Sequence, residues 1–97
     1  MGHTLLKLRM PDEAAALVRS LHPHLKKKVR AAFEILLREP QAGKALKEEL
    51  AGLRSFRVSR YRVIYRVSGG KELHIVAVGP RERIYEDTYL LISKARK

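Results

Sequence analysis

Arg81, Arg83 and Tyr85 fall two residues apart in the segment Arg81-Glu82-Arg83-Ile84-Tyr85. In an extended chain alternate side chains share a face, so two guanidinium groups and a phenol would stand side by side. A guanidinium grips phosphate through two parallel hydrogen bonds. A tyrosine ring stacks on an unpaired base. Upstream lie Arg54, Arg57, Arg60, Arg62, Arg66 and Lys71, opposed only by Glu72 and Glu82 as far as Arg83. This combination suggests a surface that grips single-stranded nucleic acid. The same arginines would equally form the solvated face of a half-exposed sheet, and spacing alone leaves both readings open.

Other chemistries find less support. The four histidines are His3, His22, His24 and His74, and no acidic cluster accompanies them. No metal site is expected, and no cofactor. The chain has no cysteine, which removes disulfides, thiolate catalysis and cysteine-based zinc sites. Ser20, Ser55, Ser59, Ser68 and Ser93 occupy no nucleophile-elbow context. Gly69-Gly70 is not followed by the Gly-Lys-Ser/Thr of a phosphate loop. Glu48-Glu49 and Glu86-Asp87 are adjacent pairs on helical segments, expected to face solvent. Two-metal nuclease chemistry needs clustered carboxylates, and the pattern offers none. His74 is expected on a central strand, as a structural imidazole.

These residues need a scaffold. Ninety-seven residues, 45% of them hydrophobic, suit one domain spanning 1–97. The net charge of +11 points to a polyanionic partner, nucleic acid or an acidic protein. Residues 1–50 hold 10 basic and 6 acidic side chains, residues 51–97 hold 11 and 4, so the excess sits with the strands. No apolar run reaches the length of a membrane span. The start Met1-Gly2-His3-Thr4-Leu5-Leu6 matches neither a signal peptide nor a myristoylation site. The expected location is the cytoplasm.

Alternation from Thr4 to Met10 predicts a first strand. Ala14, Leu17, Val18 and Leu21 form one helical stripe after Pro11-Asp12. Pro23 opens a second helix carrying Leu25, Val29, Ala32, Phe33, Leu36 and Leu37, and Glu39-Pro40 closes it. Residues 41–53 read as either a short helical turn or a loop. Period two then returns. Phe56 and Val58 precede a break at Ser59-Arg60, and Val63, Tyr65 and Val67 follow it, giving a hairpin. Tyr61 and Tyr65 are expected in the core. Ser68-Gly69-Gly70-Lys71 is a turn, and Leu73–Val78 reads as a central strand ended by Gly79-Pro80. Ile84, Thr88, Leu91 and Ile92 suggest a short C-terminal helix fraying into Lys94-Ala95-Arg96-Lys97. The fold class is α+β: an N-terminal strand, then a two-helix hairpin packed on one face of a mostly antiparallel four-stranded sheet.

Three segments carry a family resemblance. They are Leu46 to Val58, Arg60-Tyr61-Arg62-Val63-Ile64-Tyr65, and Val78-Gly79-Pro80-Arg81-Glu82-Arg83-Ile84-Tyr85. With the helix pair before them they resemble the RelE/ParE superfamily of type II toxins over nearly the whole chain. The resemblance implies an α+β toxin with a cognate acidic antitoxin. Its RelE branch implies a metal-independent endoribonuclease (mRNA interferase) that cuts mRNA in the ribosomal A site. Its ParE branch implies inhibition of DNA gyrase. By resemblance Arg62 steadies the phosphate, Arg81 stabilises charge or protonates the leaving group, and Tyr85 stacks or moves a proton. Arg54, Arg57, Arg60 and Arg83 are expected to hold RNA. Arg57 falls where the best-known RelE form has lysine, and Ser59 or Arg60 where it has another. Arginine effectively cannot lose its proton, so Tyr85 becomes the expected base, with His74 in reserve.

Overall fold

The computed structural model describes residues 6–95. The expected strand start at Thr4-Leu5 and the end of the basic tail, Arg96-Lys97, lie outside them. A mixed sheet runs in the order β1-β5-β4-β3-β2. These strands are β1 (Lys7–Arg9), β2 (Lys44–Ala45), β3 (Arg54–Val58), β4 (Tyr61–Ser68) and β5 (Glu72–Pro80). The helices are α1 (Asp12–Ser20), α2 (Pro23–Arg38) and α3 (Ile84–Ala95).

Asp12 and Glu13 place acidic charge at the positive end of α1. Pro23 starts α2, where its missing N–H costs nothing, and His22 Nδ1 accepts from the His24 N–H at 3.1 Å. Pro40 pushes Glu39 out of helical geometry, to φ −131° and ψ 74°. Val29, Ala32, Phe33 and Leu36 are the buried stripe of α2. With Ala14, Val18 and Leu21 they cover the sheet face made by Val58, Val63, Tyr65, Leu73, Ile75 and Val78. The two-helix hairpin on one face of the sheet is therefore as the sequence indicates.

The antiparallel core β3-β4-β5 also matches expectation. The β3–β4 hairpin turns at Ser59-Arg60, with Ser59 at φ 57°. The β4–β5 hairpin turns at Gly69-Gly70, with φ of 62° and 69°, a backbone that suits glycine. Two features extend the expected sheet. The strand β1 lies parallel to β5, Leu8 against Leu73. The ambiguous segment 41–53 contributes the two-residue strand β2 and two 3-10 turns, Pro40–Ala42 and Glu48–Leu50.

On the opposite face, α3 packs through Ile84 onto Ile64, Ala77 and Leu53. It is twelve residues long rather than short. Gly79 sets how closely its first turn docks: a Cβ there would stand 2.9 Å from Ile84 Cδ1. The strand also ends earlier than the spacing of Arg81, Arg83 and Tyr85 suggests. Pro80 has no N–H to continue a ladder. Residues 81–83 form a turn, with the Arg83 N–H donating to Pro80 O and the Arg81 N–H to Arg60 O. The three side chains therefore do not line one extended face. Arg81 and Arg83 sit on the turn and Tyr85 on the first turn of α3.

Candidate functional site

On the face that carries α3, two rows of side chains cross the sheet. Arg57 pairs with Arg62, which pairs with Gly79; Ser55 pairs with Ile64, which pairs with Ala77. Directly paired residues on one face bring their side chains together. Tyr85 reaches down from α3, and its hydroxyl donates to Ser55 Oγ at 3.1 Å. Arg62 Nη1 donates to the same oxygen, also at 3.1 Å. The Arg62 guanidinium carbon lies 6.0 Å from the centre of the Tyr85 ring, within cation–π range. Ser55 is 2% exposed, so this junction is fixed by the sheet. Among the described residues, Arg62 Nε is buried without a hydrogen-bond partner.

Beside this junction a small cleft is lined by Arg57, Ser59, Arg60, Arg81 and Glu82. The bond from the Arg81 N–H to Arg60 O, 2.9 Å, ties the turn before α3 to the hairpin tip. Arg57, Arg60 and Arg81 converge although they are far apart in sequence. Their side chains are exposed, and among the described residues none of the three makes an ion pair. On the other side of Tyr85, a second cleft is lined by Lys44, Lys47, Leu46 and Leu50. Arg62, Arg81 and Tyr85 thus share one region with Arg57 and Arg60.

Three expected participants are elsewhere. Arg54 shares the parity of Phe56, not of Arg57, and donates from Nη1 to Gly43 O at 2.7 Å. It braces the loop before β2. Arg83 is exposed on the turn, and its carbonyl accepts from the Asp87 N–H in the first turn of α3. His74 shares the sheet face with Arg62, but five residues along β5 from Gly79, roughly 16 Å at strand rise. Its Nε2 pairs with Glu72 Oε1 at 2.9 Å. It is a structural imidazole, and too distant to serve as the reserve base.

That pair yields a modest prediction. The hydrogen bond to His74 outweighs the opposing effect of desolvation and, helped by the weaker charge of Arg9, holds the Glu72 carboxyl below its ordinary value of 4.5. The carboxylate therefore adds stability above the ordinary value and loses it as pH falls through the depressed one. Thermal melts from about pH 5 to about pH 3 should fall slightly more steeply for the wild type than for Glu72→Gln.

The spacing of residues missed Ser55, Lys44 and Lys47. Ser55 had a signal: the alternation that turns Arg57 toward this face turns Ser55 the same way. The lysines had none, because β2 and its flanking turns depend on tertiary contacts. Among the described residues no three His, Asp or Glu side chains are grouped to hold a metal ion. Nor is any helix there long and apolar enough to cross a membrane.

A family profile described as the ParE toxin of the type II toxin–antitoxin system, parDE, matches residues 11–85. The toxin–antitoxin complex RelBE2 from Mycobacterium tuberculosis contains a chain 33% identical over 80% of this chain and 100% of its own, with a TM-score of 0.71. The archaeal RelE–RelB complex from Pyrococcus horikoshii OT3 gives 25% identity, 82% and 99% coverage and a TM-score of 0.69. A free mutant of E. coli RelE shares the fold at 19% identity, with 89% and 92% coverage and a TM-score of 0.70. A sequence comparison with curated proteins gives no match. The matched span runs from the helix hairpin through the sheet to Tyr85, and the chain belongs to the ParE toxin family of type II toxin–antitoxin systems, within the RelE/ParE superfamily.

Proposed function

We propose that this toxin is a RelE-type mRNA endoribonuclease that cuts mRNA in the ribosomal A site and so inhibits translation. The observation that supports this reading is the meeting of Arg62 and the Tyr85 hydroxyl on Ser55 Oγ, next to the convergent Arg57, Arg60 and Arg81. In the reaction the 2′-oxygen bonds to the adjacent phosphorus, the bond from phosphorus to the 5′-oxygen breaks, and the departing 5′-oxygen takes a proton from solvent water. A cyclic phosphate is left on one fragment. Tyr85, as phenolate, takes the 2′-hydroxyl proton. Arg62 and Arg81 stabilise the charge that builds on the phosphorane oxygens, and Arg57 and Arg60 hold the flanking backbone. Much of the rate enhancement comes from positioning the 2′-hydroxyl in line, which a ribosome assists. These side chains supply the charge without a metal cofactor. The protein partner is a cognate antitoxin with an acidic toxin-binding segment that covers some of these arginines.

Primer extension on a translated mRNA after brief expression of the toxin tests the reading. Cuts within codons are expected, and Arg81→Ala and Tyr85→Phe should each lower cleavage roughly 10²-fold or more. The matching family profile carries the ParE name, and this favours gyrase inhibition as the second reading. Inhibition of gyrase supercoiling with mRNA left intact would establish that reading instead.

A further inference from the structure

Ser55 is neither exposed nor charged, and it sits where Arg62 of β4 and Tyr85 of α3 meet. Its Oγ accepts from Arg62 Nη1 on β4 and from the Tyr85 hydroxyl on α3. Both donors come from elements that reach β3 independently, one through the sheet and one through the docking of Ile84. A serine hydroxyl has two lone pairs and one rotatable proton. With both lone pairs engaged, its proton occupies the remaining position around the oxygen, and rotation about the Cβ–Oγ bond can exchange it with one of the accepted bonds.

We propose that Ser55 is the positioning residue of this site: a rotatable hydroxyl that holds Tyr85 in one place in both its protonation states while keeping the Arg62 guanidinium aligned. This rests on the ribonuclease reading above. With neutral Tyr85, Ser55 accepts the phenol proton, as in the structure. With Tyr85 as phenolate, the Ser55 hydroxyl rotates and donates to the phenolate oxygen, and one lone pair still receives Arg62 Nη1. When the phenolate has taken the 2′-hydroxyl proton, the serine returns to accepting. No heavy atom has to move during proton transfer, so the catalytic geometry stays assembled throughout. Alanine would leave both donors without their shared acceptor. A lysine or arginine at this position would present only donors and could not serve either Arg62 or the neutral phenol.

The test uses Ser55→Thr, Ser55→Val and Ser55→Ala in the purified full-length toxin. Thr and Val add the same bulk to a buried position, and only Thr keeps the hydroxyl. On ribosome-bound mRNA, Val and Ala are expected to lower kcat about ten- to hundred-fold with KM changed less than about two-fold. Thr should restore most of kcat relative to Val. In parallel, the Tyr85 ring carbon signal, assigned with Tyr85→Phe, is followed by NMR in the absence of RNA. It should shift in Val and Ala and stay near its wild-type position in Thr. Equal activity of Thr and Val, a loss confined to KM, or an unmoved Tyr85 signal in Ala would each overturn the proposal. If the wild type cuts no mRNA, the ribonuclease reading fails and the catalytic role of Ser55 with it, while the NMR comparison still decides whether Ser55 holds Tyr85.

Discussion

Arg62→Ala is expected to lower single-turnover cleavage of ribosome-bound mRNA roughly 10²–10³-fold, the usual cost of removing one preorganised charge stabiliser. Among the arginines grouped at the site, Arg62 is the one with a partly enclosed head. It projects from β4 at the middle of the sheet, between Arg57 on β3 and Gly79 on β5. Nη1 is held by Ser55, the ring of Tyr85 lies over the guanidinium carbon, and Nε is enclosed without a partner among the described residues. With its head held in this way, the orientation of the guanidinium is settled before a substrate arrives. Arg81 and Arg60 stand on exposed turns and would have to be ordered by a bound substrate. Arg62→Lys should recover little, because an ammonium cannot reproduce a fork that would hold serine and phosphate together. Arg66→Ala provides the control. Arg66 lies on the same strand and face, exposed and opposite His74, and its loss should change cleavage less than about three-fold. Should Arg62→Ala retain cleavage within that range while melting normally, Arg62 would have no role in the chemistry.

How far the sequence led depends on how local each cause is. The helix hairpin is local: Pro23 starts α2, Glu39-Pro40 stops it, and the stripe from Val29 to Leu36 aims it. The β3–β4 and β4–β5 hairpins are local too, each marked by a short turn between alternating strands. The hairpin that carries Arg57 and Arg62 on neighbouring strands follows from spacing, and the structure sets the two opposite each other. Charge alone groups Arg54 with them, although the alternation that packs Phe56 on the α1–α2 side also turns Arg54 away from Arg57. Arg81, Arg83 and Tyr85 kept a spacing of two beyond a proline that had ended the strand. There the interaction that matters is non-local, from the Arg81 N–H to Arg60 O. The parallel pairing of β1 with β5 joins Leu8 to Leu73 across most of the chain, and no local pattern reports it. The ambiguity of residues 41–53 has the same origin. Their course is dictated by Tyr65 and Arg54, which reach out of the sheet to hold loop carbonyls and the Gly43 N–H.

That anchor is where the largest loss of stability is expected, from Gly43→Ala. Tyr65 is fully buried, and its hydroxyl accepts from the Gly43 N–H at 2.8 Å and donates to Pro40 O. A Cβ on Gly43 would fall 2.7 Å from Tyr65 Cε1 and 2.9 Å from Cζ. The ring cannot retreat, because Val63, Phe33 and Leu36 belong to the same packed core. Overpacking of this kind costs about 1–3 kcal/mol, and displacing the hydroxyl strands two backbone groups at about 1–3 kcal/mol more. For a domain of this size each kcal/mol lowers the melting temperature by roughly 4–8 °C. Tyr65→Phe should cost only the second part, since the ring stays. The double variant should be less destabilised than the two losses added, because the phenylalanine lacks the oxygen nearest the new methyl. Alkali gives an independent check. Burial, outweighing the Gly43 hydrogen bond and the charge of Arg54, raises the Tyr65 phenol above its ordinary value of 10.0. Its stabilising contribution is complete below that value and is lost as pH rises through the raised one. The wild type should therefore lose melting temperature above about pH 10 more steeply than Tyr65→Phe. The same anchor sets the chain running from Gly43 into β2 and on to Leu46 and Leu50, which line the cleft beside Tyr85. A weakened Gly43–Tyr65 contact should accordingly loosen one wall of the site at temperatures where the helix hairpin is still folded.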